Sequence, residues 1–263
     1  MSQRARSTVE QAWDEAAHGY DVYLGPRFAP YLGAAVGALL ARSPSLPRGS
    51  VLVPCAGPGH ELGPLARAFP DRQIVASDLS TEMVGLARAR NASYSNLAVD
   101  QGDATALRAP SEGAAALLSL FGLQLLPQQP GTLASWVSLL NPGGLAVVVY
   151  WPRIAEQSGP FQILHRLLRE VGMRDDAWEG ELVPSAVAAG ALVLLDVRVS
   201  FELQHEDARS MWHALTQLGP LRALALARGQ ALVDILGAQF VAALPDGALT
   251  HTPEARLLLL ERR

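Results

Sequence analysis

Val51-Leu-Val-Pro-Cys-Ala-Gly-Pro-Gly-His-Glu-Leu-Gly63 decides the fold of this chain. Four apolar residues read as a short strand, Gly57 and Gly59 as a turn, and 59–69 as a helix. Glycine at such a junction lets the backbone approach a ligand, and the opening of the helix offers unpaired N–H groups to a carboxylate or phosphate. Working downstream, QIVAS (73–77) is a strand, and 80–90 is a helix that Ser80 is placed to cap. A weak strand follows over 96–99 and a strong one over AAALLSL (114–120). A helix at 131–140 is stopped by Asn141-Pro-Gly-Gly, and LAVVVYW (145–151) is the clearest strand of all. Upstream, 7–42 is helical, with Val9, Ala12, Trp13 and Ala16 on one face, until the Pro/Ser/Gly run 43–49 ends it. Continuous apolar strands alternating with helices imply a parallel sheet covered on both faces.

Beyond 151 the rhythm changes. Residues 152–190 hold one expected helix (about 160–171) and an acidic loop with Asp175, Asp176 and Glu179. A strand spans 191–203, helices follow at about 206–218 and 228–243, and a last strand lies near 255–260. The chain thus divides into a helical N-terminal extension or lid (1–45), a nucleotide-binding core (46–151), a substrate-side insertion (152–190) and the remainder of the core (191–263).

Of 263 residues, 49% are hydrophobic and 17% charged, which suffices for a large buried core. The formal charge of -4 and pI near 5.9 argue against a nucleic-acid partner, since phosphate neutralisation needs a basic face. All 21 basic residues are Arg. The absence of Lys removes Schiff-base, P-loop and Tyr/Lys hydride-transfer chemistry. The single cysteine, Cys55, allows neither an internal disulfide nor a Cys-ligated zinc, and no metal site is expected. No apolar leader opens the chain and no stretch is long enough to span a bilayer, so the expectation is a cytoplasmic, soluble monomer or homodimer.

Two acids accompany the glycine turn. Asp78 ends the second strand, where a carboxylate can accept from both ribose hydroxyls of a nucleoside; helix capping is its alternative, although Ser80 can take that part. Asp103, in Gln101-Gly-Asp103-Ala-Thr after the third strand, can accept from an adenine amino group or be an ordinary turn acid.

Together these blocks resemble the class I, Rossmann-like S-adenosylmethionine-dependent methyltransferases of small molecules, loosely the subgroup related to quinone C-methyltransferases. The match runs through the glycine loop, IVASDLS with Met83, QGDAT, the strand ending LFGLQLL, and LLNPGGLAVVVYW; Trp13-Asp14 and Ala17-His-Gly-Tyr20-Asp21 are similar to that subgroup's leading helices. The resemblance implies an α/β fold: a doubly wound, mostly parallel seven-stranded sheet with helices on both faces, an N-terminal helical extension and a helical insertion after the fifth strand. It implies S-adenosylmethionine as cofactor and S-adenosylhomocysteine as product. Cys55, Gly57 and Gly59, with Tyr20 nearby, would meet the methionine portion. Asp78 would hold ribose, Leu79 and Met83 would pack on adenine, Asp103 and Ala104 would read its polar edge, and Leu120 would lie beside the cofactor. One departure matters: the family usually has an acid at Val53 and a glycine at Cys55.

Methyl transfer asks little of a protein beyond alignment, because the sulfonium carries the activation. A general base is an optional addition, for which histidine suits neutral pH. Of His18, His60, His165, His205, His213 and His251, the candidates are His165, His205 and His213. Phe121, Gln124, Tyr150 and Trp151 end the fourth and fifth strands, where a doubly wound sheet opens its crevice. Phe121, Gln124, Trp151 and His165 are therefore expected in the pocket of a planar or apolar acceptor, with core packing as the alternative for the aromatics. The functional expectation is methylation of a small molecule at O, N or C, in secondary metabolism. An NAD-dependent oxidoreductase and a non-catalytic S-adenosylmethionine-binding protein stand as alternatives.

Overall fold

The computed structural model describes residues 3–108, 110–173 and 177–263, so Asp175 and Asp176 of the expected acidic loop lie outside the described residues. The chain divides into two compact units, each made of discontinuous segments.

The larger unit, residues 30–152, 177–199 and 255–263, carries the sheet. Its strands are β1 (Ser50–Pro54), β2 (Ile74–Asp78), β3 (Leu97–Gln101), β4 (Ala114–Leu120), β5 (Leu140–Tyr150) and β6 (Ala191–Ser200). The last strand of the chain, β9 (Glu254–Arg262), inserts between β5 and β6, giving the order β3-β2-β1-β4-β5-β9-β6. From β3 to β5 all pairings are parallel, and β9 runs antiparallel to β5 with Val148 opposite Leu258. This is the seven-stranded, mostly parallel sheet expected from the sequence. Its centre is apolar because both faces are covered: every residue of β1 is buried, as are the first six of β4. The helices of this unit include α3 (Leu62–Ala68), α4 (Thr81–Arg90), α5 (Gln129–Ser138) and α7 (Glu179–Ala188).

Two local expectations are corrected here. Asn141-Pro-Gly-Gly does not stop the helix as a loop; it is the irregular start of β5, which already begins at Leu140. There the Asn141 amide donates to the carbonyls of Arg48 (2.8 Å) and Glu112 (3.0 Å), so a turn-forming sequence is held in the sheet by its own side chain. Glu179, expected in a loop, opens α7 instead, because Leu182 and Ala186 of that helix are wholly buried in the same core as Trp136 and Leu258.

The smaller unit, residues 1–29, 153–176 and 200–254, is mainly helical. It contains α1 (Gln3–Gly19), a π-helical turn (Tyr20–Leu24), the start of α2 (Gly25–Leu40), α6 (Pro160–Glu170), α8 (Ala208–Leu215), α9 (Gly219–Arg228) and α10 (Gln230–Ala242). A two-stranded antiparallel ladder joins β7 (Leu203–His205) to β8 (Leu249–His251). Helices were expected at about 206–218 and 228–243, where α8 and α10 lie; α9 between them was not expected, beginning at Gly219-Pro and breaking at Gly229, whose φ of 93° ends a right-handed helix. The core of this unit is its own, with Ile163, Leu167, Met211, Leu215, Val233 and Phe240 at its centre. No described helix is long and apolar enough to cross a membrane.

Candidate functional site

The site begins at the end of β1, where three residues in five turn left-handed: Cys55 (φ 55°), Gly57 (51°) and Gly59 (72°). Cys55 is the unusual member, because a side chain in that region strains the backbone by about 1–3 kcal/mol. Its room comes from Gly122, just past β4: a Cβ there would sit 2.4 Å from Cβ and 2.9 Å from Sγ of Cys55. The glycine expected at 55 has in effect moved across to 122. Burial first, then the charges of Asp78 and Asp103, push the Cys55 thiol well up, so it stays protonated and is a poor nucleophile.

Asp78 stands across the turn. Its Oδ2 accepts from the Gly57 N–H (2.8 Å) and its Oδ1 from the Ser80 N–H (3.0 Å), fixing the carboxylate against the loop. Ser80 takes the capping part itself, accepting from Met83 N at 3.1 Å. A carboxylate offers about four acceptor positions, so two backbone donors orient Asp78 without exhausting it. Leu79 is half-buried and Met83 buried at the start of α4. Asp103 caps a 3₁₀ turn (Ala104–Ala106), accepting from Thr105 N (2.9 Å) and Thr105 Oγ1 (2.7 Å). The Trp136 indole N–H donates to Ala104 O at 2.8 Å and pins that turn.

At the exit of β4 stand Leu120, half-buried, and Phe121, itself left-handed (φ 54°) and tied by its N–H to Val149 O at 2.7 Å. The Phe121 ring stacks on Trp151 at 4.5 Å with the planes 10° apart, and Tyr31 of α2 meets both edge-on. The Gln124 amide N–H donates to Phe121 O (2.8 Å). Gln124 Oε1 and Ser119 Oγ are buried, and neither has a hydrogen-bond partner among the described residues. Buried polar atoms without partners are uncommon and point to a group that completes them.

S-adenosylmethionine fits these residues. The loop is open at Gly57, where an added Cβ would meet nothing within 4 Å; an oriented acid stands beside it, and orphaned polar atoms lie on β4 (Ser119) and in the turn just past it (Gln124).

Tyr20, His165, His205 and His213 belong to the smaller unit. Tyr20 lies in the π-helical turn with Trp13 and Phe28 edge-on to it; His165 is half-buried on α6 and His213 exposed on α8. His205 is different. Its Nδ1 lies 2.8 Å from Tyr23 Oη and its Nε2 lies 3.1 Å from His251 Nε2, while His251 Nδ1 reaches Glu156 Oε1 at 2.5 Å. Glu156 also accepts from Phe161 N at 2.8 Å. With both rings neutral and Glu156 ionised, one set of tautomers satisfies the whole chain: Tyr23 donates to His205, His205 to His251, and His251 to Glu156. Both nitrogens of His205 are therefore engaged, and a proton reaching it would come through Tyr23 or His251. Desolvation, then His251 and Arg27, hold His205 down to about 4.

The sequence reading missed Ser119, Gly122, Tyr31, Glu61, Tyr23 and Glu156. Only Glu61 left a signal, as an acid two residues after Gly59; the others are ordinary residue types whose role is set by partners far along the chain.

Residues 51–144 match the family model of the methyltransferase domain. The chain is 31% identical over 166 residues to the trans-aconitate 2-methyltransferase of Methylobacterium radiotolerans, a match covering 63% of this chain and 59% of that protein's length. Among solved structures it is similar to the magnesium protoporphyrin IX methyltransferase of Synechocystis with bound S-adenosylhomocysteine (TM-score 0.53, 16% identity, 89% of this chain and 83% of that one). It is similar to a [4+2]-cyclase to the same degree (TM-score 0.52, 17% identity, 86% and 80%). The second likeness shows that the shared fold by itself does not fix the reaction.

Proposed function

Because residues 51–144 match the model of a methyltransferase domain, we propose that this chain transfers the methyl group of S-adenosylmethionine to an O, N or C atom of a small molecule. The observation that carries the reading is the Asp78 carboxylate, held by Gly57 N–H against a left-handed glycine loop inside the matched segment. When bound, the cofactor supplies an activated methyl on a sulfonium and leaves as S-adenosylhomocysteine. The protein's share is to bind and align. Cys55, Gly57 and Gly59 present backbone to the methionine end, Asp78 holds the ribose hydroxyls, Leu79 and Met83 flank adenine, and Asp103 with Ala104 reads its edge. Leu120 lies beside the cofactor, and the stacked Phe121 and Trp151, with Gln124, orient a planar or apolar acceptor. Alignment dominates, since such positioning supplies about 7–11 kcal/mol of a barrier where one general base gives about 10²–10⁴-fold. The engaged nitrogens of His205 favour this account over one with a free histidine base. A cytoplasmic place, a role in secondary metabolism, and a monomer or homodimer with no nucleic-acid partner complete the reading.

Calorimetry tests it. S-adenosylhomocysteine is expected to bind at micromolar levels and NAD much more weakly, and Asp78→Ala should cost about 1.5–3 kcal/mol, the range for a hydrogen bond to a charged group. Tight NAD binding without S-adenosylhomocysteine binding would refute the proposal. Binding without turnover on any acceptor would favour the non-catalytic alternative.

A further inference from the structure

We propose that Glu61 holds the α-ammonium of the bound S-adenosylmethionine, an assignment that rests on the cofactor reading above. The amino-acid end of this cofactor is a zwitterion. Backbone N–H groups suit its carboxylate, but an ammonium withdrawn from water needs an anionic acceptor. β1 offers none: all five of its residues are apolar or Ser50, and Val53 is 1% exposed. The acids around the loop are Asp78 and Asp103, whose charges reach Cys55, and Glu61, which Asp78 reaches; Asp103 is engaged by Thr105 N and Oγ1. Asp78 is oriented by the Gly57 and Ser80 amides for the ribose.

Glu61 follows the loop by two residues and is only 7% exposed. It does not cap α3, and its carboxylate takes a hydrogen bond from its own backbone N–H; among the described residues no other side chain is bonded or ion-paired to it. The charged groups around it are Asp78 of β2, of like sign, and Arg90 of α4, which donates to Pro58 O. A buried acid beside another acid, with Arg90 near it but not ion-paired to it, is a costly arrangement that an arriving ammonium relieves. Burial, reinforced by Asp78, pushes Glu61 up to about 7. In the unliganded protein at neutral pH it is therefore about half protonated, and a cation bound to it displaces that proton.

The experiment is calorimetric titration with S-adenosylhomocysteine, which keeps the α-amino group, between pH 6 and 8 in buffers of different ionisation heats. The wild type should bind about tenfold tighter at pH 8 than at pH 6 and release about half a proton at pH 7, following the linkage of one group near 7. Glu61→Gln should flatten that dependence and weaken binding about 10–100-fold at pH 8. An adenosylhomocysteine analogue lacking the α-amino group should bind the wild type weakly and without pH dependence, an arm that needs no folded variant. PH-independent binding of S-adenosylhomocysteine, or equal affinity for the desamino analogue, overturns the role of Glu61 and leaves the cofactor reading standing. No binding at any pH overturns both.

Discussion

At the scale of single residues, Cys55 and Gly122 form a reciprocal pair. The left-handed position at 55 favours glycine, yet a side chain stands there, and the space it needs is taken from 122. Gly122 has φ -96°, so an added Cβ meets no backbone objection, only the Cβ of Cys55. That neighbour is rigid and cannot rotate away. Gly122→Ala should therefore cost about 1–3 kcal/mol by overpacking. Cys55→Gly should be near neutral, since strain relieved at φ 55° offsets lost packing and the added freedom of the unfolded chain. In the Cys55→Gly background the cost of Gly122→Ala should fall by about 1 kcal/mol or more, a coupling that a denaturation double-mutant cycle measures. Additive costs would show that the two positions do not share their space. The sequence displayed the substitution at 55 but not its compensation, because 67 residues separate partners that only the parallel pairing of β1 with β4 brings together.

At the scale of elements, continuous apolar runs such as β1, β2 and β4 were legible, and three-residue strands and elements held by tertiary contacts were not. β4 was read at its observed bounds because a buried parallel strand is a continuous apolar run. The three-residue β7 and β8 have no period to detect, and α7, with Pro184 inside it, is helical through tertiary burial rather than pattern. The Tyr23–His205–His251–Glu156 chain was hidden for the same reason: it ties a π-helical turn to two short strands and a loop. This chain has a consequence for stability. Neutral His205 titrates near 4 in the fold and near 6.5 when unfolded, so below pH 6.5 the unfolded state binds the extra proton. The fold should thus lose stability as pH falls from about 6.5 to 4, by at most about 3 kcal/mol, with no further loss from this group below 4. Chemical denaturation at pH 4.5 and 7.5 should show a smaller difference for His205→Gln than for the wild type. An identical difference would mean that His205 is not held neutral by its surroundings.

At the scale of the whole molecule, the sequence suggested consecutive blocks, whereas the chain weaves two compact units from alternating segments. The stretch after β5 contributes α6 to one unit and α7 to the other, a division no local signal marks. Each unit has its own core, one centred on Leu117, Trp136 and Tyr150, the other on Met211, Leu215 and Phe240. Separate cores imply separable opening, because local stability follows the apolar contacts each region buries. Trp13 offers a handle on one of them. A Cβ at Gly219 would lie 2.2 Å from its ring, so α1 and α9 pack with no space between them, and Arg222 pairs with Glu15 beside that contact at 2.5 Å. Trp13→Ala should leave a cavity there costing about 2–4 kcal/mol, somewhat below a fully buried tryptophan because Trp13 is half-buried. Hydrogen exchange should then show faster opening across α1, α8 and α9 while the amides of β1, β4 and β5 keep their protection. Adding S-adenosylhomocysteine at a hundred times its Kd should stabilise the state that binds it by about 2.7 kcal/mol, and this gain should appear in the sheet amides of the variant as in the wild type. Equal loss of protection in both sets of amides would show that the two cores open as one.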